Sequence, residues 1–114
     1  MRATIIAAAL LALMGAACAG EDQMASRYAN TTIATDPDGT QTKLYYRPDH
    51  SFTAKRGDWS SDGSWAIEDG KLCLNYKIER PGVGMRECVS AEAHKIGEKW
   101  VHNGRTVTLV EGIQ

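Results

Sequence analysis

The side chains of this 114-residue chain that could do chemistry are few: three cysteines, three histidines, and a carboxylate, Glu87, set in the run Met85-Arg86-Glu87-Cys88-Val89. A zinc or transition-metal site needs several ligands on one face, in a strand at i, i+2 or in a helix at i, i+4. His50, His94 and His102 share no such spacing, and no cluster of carboxylates accompanies them. His50 ends a Pro48-Asp49-His50 loop, His94 lies in a stretch without pattern, and His102 stands before Asn103-Gly104, so no metal and no cofactor is expected. No Gly-x-Ser-x-Gly elbow is present for a serine nucleophile. Cys73 and Cys88 lack Cys-x-x-Cys spacing and follow no helix N-terminus that would lower a thiol pKa. The expectation is a protein without catalytic residues, not an enzyme.

The third cysteine, Cys18, belongs to a different problem. Met1-Arg2 is followed by an uncharged apolar run from Ile5 to Ala17, which has the form of a secretory leader and is short for a membrane span. Ala17-Cys18-Ala19 offers small residues for cleavage before Gly20, giving residues 1–19 as signal peptide and residues 20–114 as a single domain. The rival is a lipoprotein signal that keeps Cys18 as an acylated anchor. Such a signal normally carries Leu three residues before the cysteine, where this chain has Gly15. The location expected is periplasmic or secreted, with the outer membrane through Cys18 as the alternative, and no transmembrane span.

The 13 basic side chains lose Arg2 with the leader, leaving 12 against 14 acidic ones and a mature charge of −2. Basic residues scattered singly at so slight an imbalance give no electrostatic footprint for nucleic acid. The partner expected is a protein or small molecule of the cell envelope.

Turn signals at Asp36-Pro37-Asp38-Gly39, Pro48-Asp49-His50, Asp58 to Gly63, Asp69-Gly70, Pro81-Gly82-Val83-Gly84 and Asn103-Gly104 punctuate the chain. Between them run short stretches of period-two alternation, which read as antiparallel strands near 31–35, 42–47, 51–56, 63–68, 71–78, 84–91, 97–102 and 105–110. A turn or two of helix is admitted only around Asp22 to Ala29. The fold class expected is all-β: an antiparallel meander of about eight strands forming a small barrel or flattened sandwich, with one disulfide.

If Asp69-Gly70 forms a type I′ turn, Glu68 pairs with Lys71, Ile67 with Leu72, Ala66 with Cys73 and Trp65 with Leu74. Cys73 then points away from Trp65, Ile67, Leu72 and Leu74, toward the strand that carries Cys88. Two registers of the next hairpin remain open, one placing Cys73 directly opposite Cys88 and one placing them diagonally. Both keep Leu72, Leu74, Tyr76, Ile78, Val83, Met85 and Val89 on one face and Cys73 with Cys88 on the other. A directly opposed pair lies within bridging distance. Trp65, Leu74, Trp100, Val107 and Leu109 should form the core.

Glu87 falls on the apolar face in either register. Burying it unpartnered would cost several kcal/mol, so it sits at a wet end of the strand, meets a basic or hydroxyl partner, or lines a cavity. The segment Gly57 to Gly63 reads as the longest irregular loop, where Trp59 either contacts a ligand or folds back to plug the sheet. Trp59 and Glu87 are thus the candidate ligand-binding residues. His50 should take positive φ at the end of its three-residue loop, which would make glycine the more stable residue there.

The order Tyr45 to Phe52 (YYRPDHSF), Gly63 to Tyr76 (GSWAIEDGKLCLNY), Glu87 to Ser90 (ECVS) and Thr106 to Gly112 (TVTLVEG) resembles a family of small secreted proteins of Gram-negative bacteria known only as a domain of unknown function. His50 departs from the Pro-Asp-Gly such relatives would carry. The resemblance implies envelope location, a lipocalin-like or sandwich-like β fold and one disulfide, and brings no activity. The expected function is a non-enzymatic binding or interaction module of the periplasm. The alternatives are an inhibitor of a lysozyme- or protease-type hydrolase presenting Trp59 or the Pro81-Gly82 turn, and a small-molecule carrier of lipocalin type.

Overall fold

The computed structural model describes residues 22–114, so the expected leader, its cleavage before Gly20 and the anchor at Cys18 lie outside the described residues. A short 3-10 turn, Ala25–Arg27, leads into eight strands: β1 (Thr31–Thr35), β2 (Gln41–Tyr46), β3 (Ser51–Arg56), β4 (Trp59–Glu68), β5 (Lys71–Arg80), β6 (Gly84–Ser90), β7 (Lys99–His102) and β8 (Arg105–Val110). All pair antiparallel in one sheet of order β6-β5-β4-β3-β2-β1-β8-β7. The all-β meander stands as expected, with the C-terminal hairpin returning to pair with β1. Among the described residues no helix is long and apolar enough to cross a membrane.

The turns obey their residues. Asp69 and Gly70 have φ of 51° and 75°, and Asn103 and Gly104 have 49° and 77°, positive at both central positions as type I′ requires. The expected pairs Glu68 with Lys71, Ile67 with Leu72, Ala66 with Cys73 and Trp65 with Leu74 all form. His50 has φ 70°.

Chain length explains the curvature. A flat sheet of this many strands would hold its edges about 34 Å apart, whereas the chain from Ser90 to Lys99 covers roughly 30 Å even fully stretched. The linker also bends, with the Glu98 N–H donating to the Lys95 carbonyl at 3.0 Å. The sheet therefore curls into a half-barrel whose edge strands β6 and β7 carry no ladder to each other. Leu44, Phe52, Ala54, Trp65, Leu72, Leu74 and Val107 are buried together inside it, Leu109 is fully buried, and Trp100 packs at the margin. The N-terminal segment closes one end. Met24 is fully buried, Ser26 Oγ donates to the His94 carbonyl at 2.5 Å, and Arg27 Nη2 donates to the Glu92 carbonyl at 3.2 Å.

Two expectations about local structure fail. The stretch Gly57 to Gly63 is not an irregular loop: β4 begins at Trp59, which pairs with Arg56 across a Gly57-Asp58 turn. The alternation there was hidden because its inward positions, Ser61 and Gly63, are small. Ser61 Oγ accepts the Ile78 N–H at 2.9 Å, and Gly63 leaves room for the Phe52 ring. The second failure is a bulge in β5. Cys73 pairs with Cys88 and Asn75 with Arg86, but Arg80 then pairs with Gly84, so residues 76–79 face Met85 alone. The extra residues interrupt the alternation beyond Tyr76, leaving Lys77, Ile78 and Glu79 all exposed before it resumes at Arg80. Ile78 and Met85, expected on the apolar face, are 57% and 52% exposed, and Arg80 turns inward.

The disulfide forms in the directly opposed register, Cys73 to Cys88, with Cα atoms 4.0 Å apart.

Candidate ligand cavity

Strand alternation puts Ala34 of β1, Leu44 of β2, Leu72 and Leu74 of β5, Val89 of β6 and Val107 of β8 on the concave face, where they wall a cavity of about 170 Å³. The gap between edge strands leaves it unfilled, because among the described residues no ninth strand enters from that side. Charged groups gather at its two ends.

At the end bearing the β1–β2, β5–β6 and β7–β8 turns, Glu87 lies across from Leu74 on the inner face, as its parity requires. Its Oε1 is 3.2 Å from Arg80 Nη1 and its Oε2 is 3.1 Å from Arg105 Nη1. Arg105 Nε donates to Asp36 Oδ1 at 2.8 Å, and Asp36 Oδ2 is 3.2 Å from Arg56 Nη2. Arg80 Nη1 also donates to the Tyr76 hydroxyl at 2.7 Å. Five side chains of alternating sign thus cross the end of the half-barrel, and Glu87 is solvated by guanidinium where water is scarce. Of the readings open for Glu87, a basic partner and a cavity wall hold together.

At the other end Arg27, 3% exposed, reaches the cavity from the N-terminal turn. Its guanidinium donates to the Gln23 carbonyl and Met24 Sδ at 3.5 Å each and to the Glu92 carbonyl at 3.2 Å, and it lies 6.0 Å from the Trp100 ring centroid. No carboxylate pairs with it among the described residues. Burial accordingly pulls its pKa below the ordinary arginine value. His94 stacks on Trp100 with ring centroids 3.4 Å apart, and its Nδ1 is 2.8 Å from Glu98 Oε2. Burial raises the pKa of both cavity-lining Tyr46 and neighbouring Tyr76, against the opposing influence of Arg80, so both phenols stay protonated. Two buried cavity-lining atoms, Thr32 Oγ1 and Arg80 Nε, have no hydrogen-bond partner among the described residues.

Trp59 does not line the cavity. It is half-buried, its Nε1 donates to the Glu79 carbonyl at 3.0 Å, and its ring packs 5.9 Å from that of Tyr76. The two candidate residues are thus not brought to one site, and of the two folding-back and contact readings the packing of Trp59 follows the first. Arg27, Arg80, Arg105, His94 and Trp100 were not assigned to a site by the sequence. The alternation Arg105, Val107, Leu109 does carry the signal for Arg105, since the last two are core. Arg80 shares the parity of Leu72, Leu74 and Tyr76 but lies beyond the strand end expected at residue 78, and nothing near Arg27 announces its burial.

Among the described residues no group of three or more histidine, cysteine or acidic side chains could hold a metal ion. The arrangement is suited to accepting and orienting a molecule with an apolar body and a polar end. The chain matches no protein-family profile, no curated protein and no solved structure.

Proposed function

We propose that the protein is a non-enzymatic binding module of the periplasm, exported by its leader and belonging to the secreted family its motifs resemble, whose ligand enters the half-barrel. The observation that carries this reading is the lined interior: apolar walls with a few convergent polar groups, two of them buried and unpartnered. A buried donor or acceptor left without a partner costs about 1–3 kcal/mol, and a ligand that pairs with it removes that cost. Binding here means capture and orientation. Native mass spectrometry of protein isolated from its own host tests the reading: a retained small molecule released on unfolding is expected, and its consistent absence from material whose interior also takes up no added probe counts against it.

A second reading has one observation in its favour. The β5–β6 hairpin leaves Ile78 and Met85 exposed on either side of the Pro81-Gly82 turn, which suits contact with a protein and keeps the hydrolase-inhibitor class in view. Under it, Ile78→Ser with Met85→Ser abolishes capture of a partner protein and leaves uptake into the interior untouched.

A further inference from the structure

We propose that the cavity selects a small amphipathic acid, a roughly benzene-sized apolar body bearing one carboxylate, with the carboxylate held by Arg27. The proposal rests on the interior being the binding site and adds the class of ligand.

Size comes first. A dry cavity of about 150 Å³ lined by aliphatic and aromatic side chains takes up benzene, and this one measures about 170 Å³. Its middle, formed by Ala34, Leu44, Leu74 and Val107, offers nothing but hydrocarbon to the ligand body.

Charge fixes the head group. Each acidic group in the ion chain at the far end already lies between two arginines, whereas among the described residues Arg27 has only neutral acceptors. Three of its five donors are engaged, at 3.2 to 3.5 Å, so the fork retains capacity for a strong acceptor. A planar monoanion matches a guanidinium better than it matches a point charge. A carboxylate there also supplies the counter-charge that a guanidinium 3% exposed otherwise lacks. The Tyr46 phenol lines the same cavity, and its raised pKa keeps the hydroxyl proton available as a second donor.

Direction follows. At the opposite end the guanidiniums of Arg80 and Arg105 are already paired with Glu87, which leaves Arg27 to take the carboxylate, so the body runs from Arg27 past Trp100 toward Leu74 and Val107.

The test compares three molecules of one shape: benzoate, neutral benzamide and cationic benzylamine, titrated into the disulfide-bonded protein by calorimetry, with the Arg27 Nε–H and Trp100 indole N–H followed by nitrogen-15 NMR. Benzoate is expected to bind about 10-fold or more tighter than benzamide, as one charge-assisted hydrogen-bonded pair provides. Benzylamine is expected to be the weakest, and the Arg27 signal to shift with benzoate alone. Arg27→Met should erase the preference and leave benzamide affinity unchanged. If benzamide equals benzoate while the Trp100 signal still moves, the acid assignment is overturned and the interior remains a binding site. If the Trp100 signal moves with none of the three, both the assignment and the binding-module reading fail. Should Arg27→Met not fold, the Arg27 signal of the unaltered protein decides, and its failure to move with benzoate overturns the proposal.

Discussion

Glu87 is accommodated on an apolar face because two guanidiniums, on β5 and β8, reach it there. The pair is not a free gain, since taking charges from water cancels much of their attraction. What it prevents is a buried Arg80 without a counter-ion. Glu87→Gln keeps the shape and removes the charge, and should lower stability by about 2–3 kcal/mol, below the range for fully buried pairs because Glu87 and Arg105 are partly exposed. Urea unfolding at neutral pH measures this, and a change under about 0.5 kcal/mol would mean that the chain of charges is solvated. Exposed carboxylates act differently. Asp38 is held below the usual carboxylate range by the Thr40 N–H and hydroxyl, Asp49 by the Ser51 hydroxyl and N–H, and Glu98 by His94 and the Lys95 N–H. A depressed folded-state pKa contributes stability that is present above the unfolded value, near 4, and lost as pH falls through the lower folded value. The unfolding midpoint should therefore be flat from neutral pH down to about 5 and decline below about 4, with the decline shallower in Asp49→Asn. An acid limb unchanged in that variant would remove Asp49 from the account. At His50 the positive φ was foreseen and the packing was not: the ring stacks on Trp65 with centroids 4.1 Å apart. Glycine would relieve roughly 1 kcal/mol of backbone strain and forfeit a stack of similar worth, so thermal unfolding of His50→Gly should differ from the parent by less than about 1 kcal/mol instead of showing the simple gain that backbone conformation alone implies.

The strands were legible wherever side chains alternated in size and polarity, and the hairpins wherever a turn carried Asp-Gly or Asn-Gly. That is why the β4–β5 register could be read from residue types, and with it the shared face of Cys73 and Cys88, whereas their direct opposition was one of two registers left open. The bridge closes a separation of 15 residues, and its loss should cost about 3 kcal/mol, chiefly through a freer unfolded chain. Comparing urea unfolding of the oxidised protein with that of a Cys73→Ala, Cys88→Ala double variant measures it, and a difference under 1 kcal/mol would show that the unfolded chain is already constrained. Illegible were the places where one residue makes space for another. Gly63 resembles turn punctuation in sequence, yet it sits in mid-strand because a Cβ there would overlap the Asn75 carbonyl oxygen and the Phe52 ring. The carbonyl belongs to the β4–β5 ladder and cannot step aside. Gly63→Ala should accordingly destabilise by about 3 kcal/mol or more, and a mild effect would mean that β4 can shift away from β5. The β5 bulge was hidden because both registers of the hairpin keep the same alternation, and nothing in residues 76–79 marks where β5 outgrows β6.

At the scale of the molecule, the site exists because the sheet curls without closing. No alternation pattern states whether the two edge strands of a curled sheet will find each other, so the gap between β6 and β7 was beyond sequence reading, and so were Arg27 and His94, which reach the interior from segments outside the sheet. The same gap sets a gradient of stability. Strands β2, β3 and β4 are hydrogen-bonded on both sides, whereas β7, Lys99–His102, has only β8 beside it, and its Val101 is 74% exposed. β6 is bulged against its one neighbour and otherwise unpaired. Few buried apolar contacts and one-sided ladders are the features of local opening. Native-state hydrogen exchange should thus find β7 and the 91–98 linker exchanging through openings well below the global unfolding free energy, with β2 to β4 exchanging only on global unfolding. Because Trp100 and His102 of β7, His94 of the linker and Val89 of β6 all line the cavity, a molecule held there joins the two edges through its own contacts. Benzoate at saturation should then slow exchange in β7 and the linker more than in β2 to β4, by more than the general stabilisation that any ligand of the folded state confers. Uniform slowing across all eight strands would show that the edges open only with the whole sheet, and that the gap is a fixed mouth instead of a hinge.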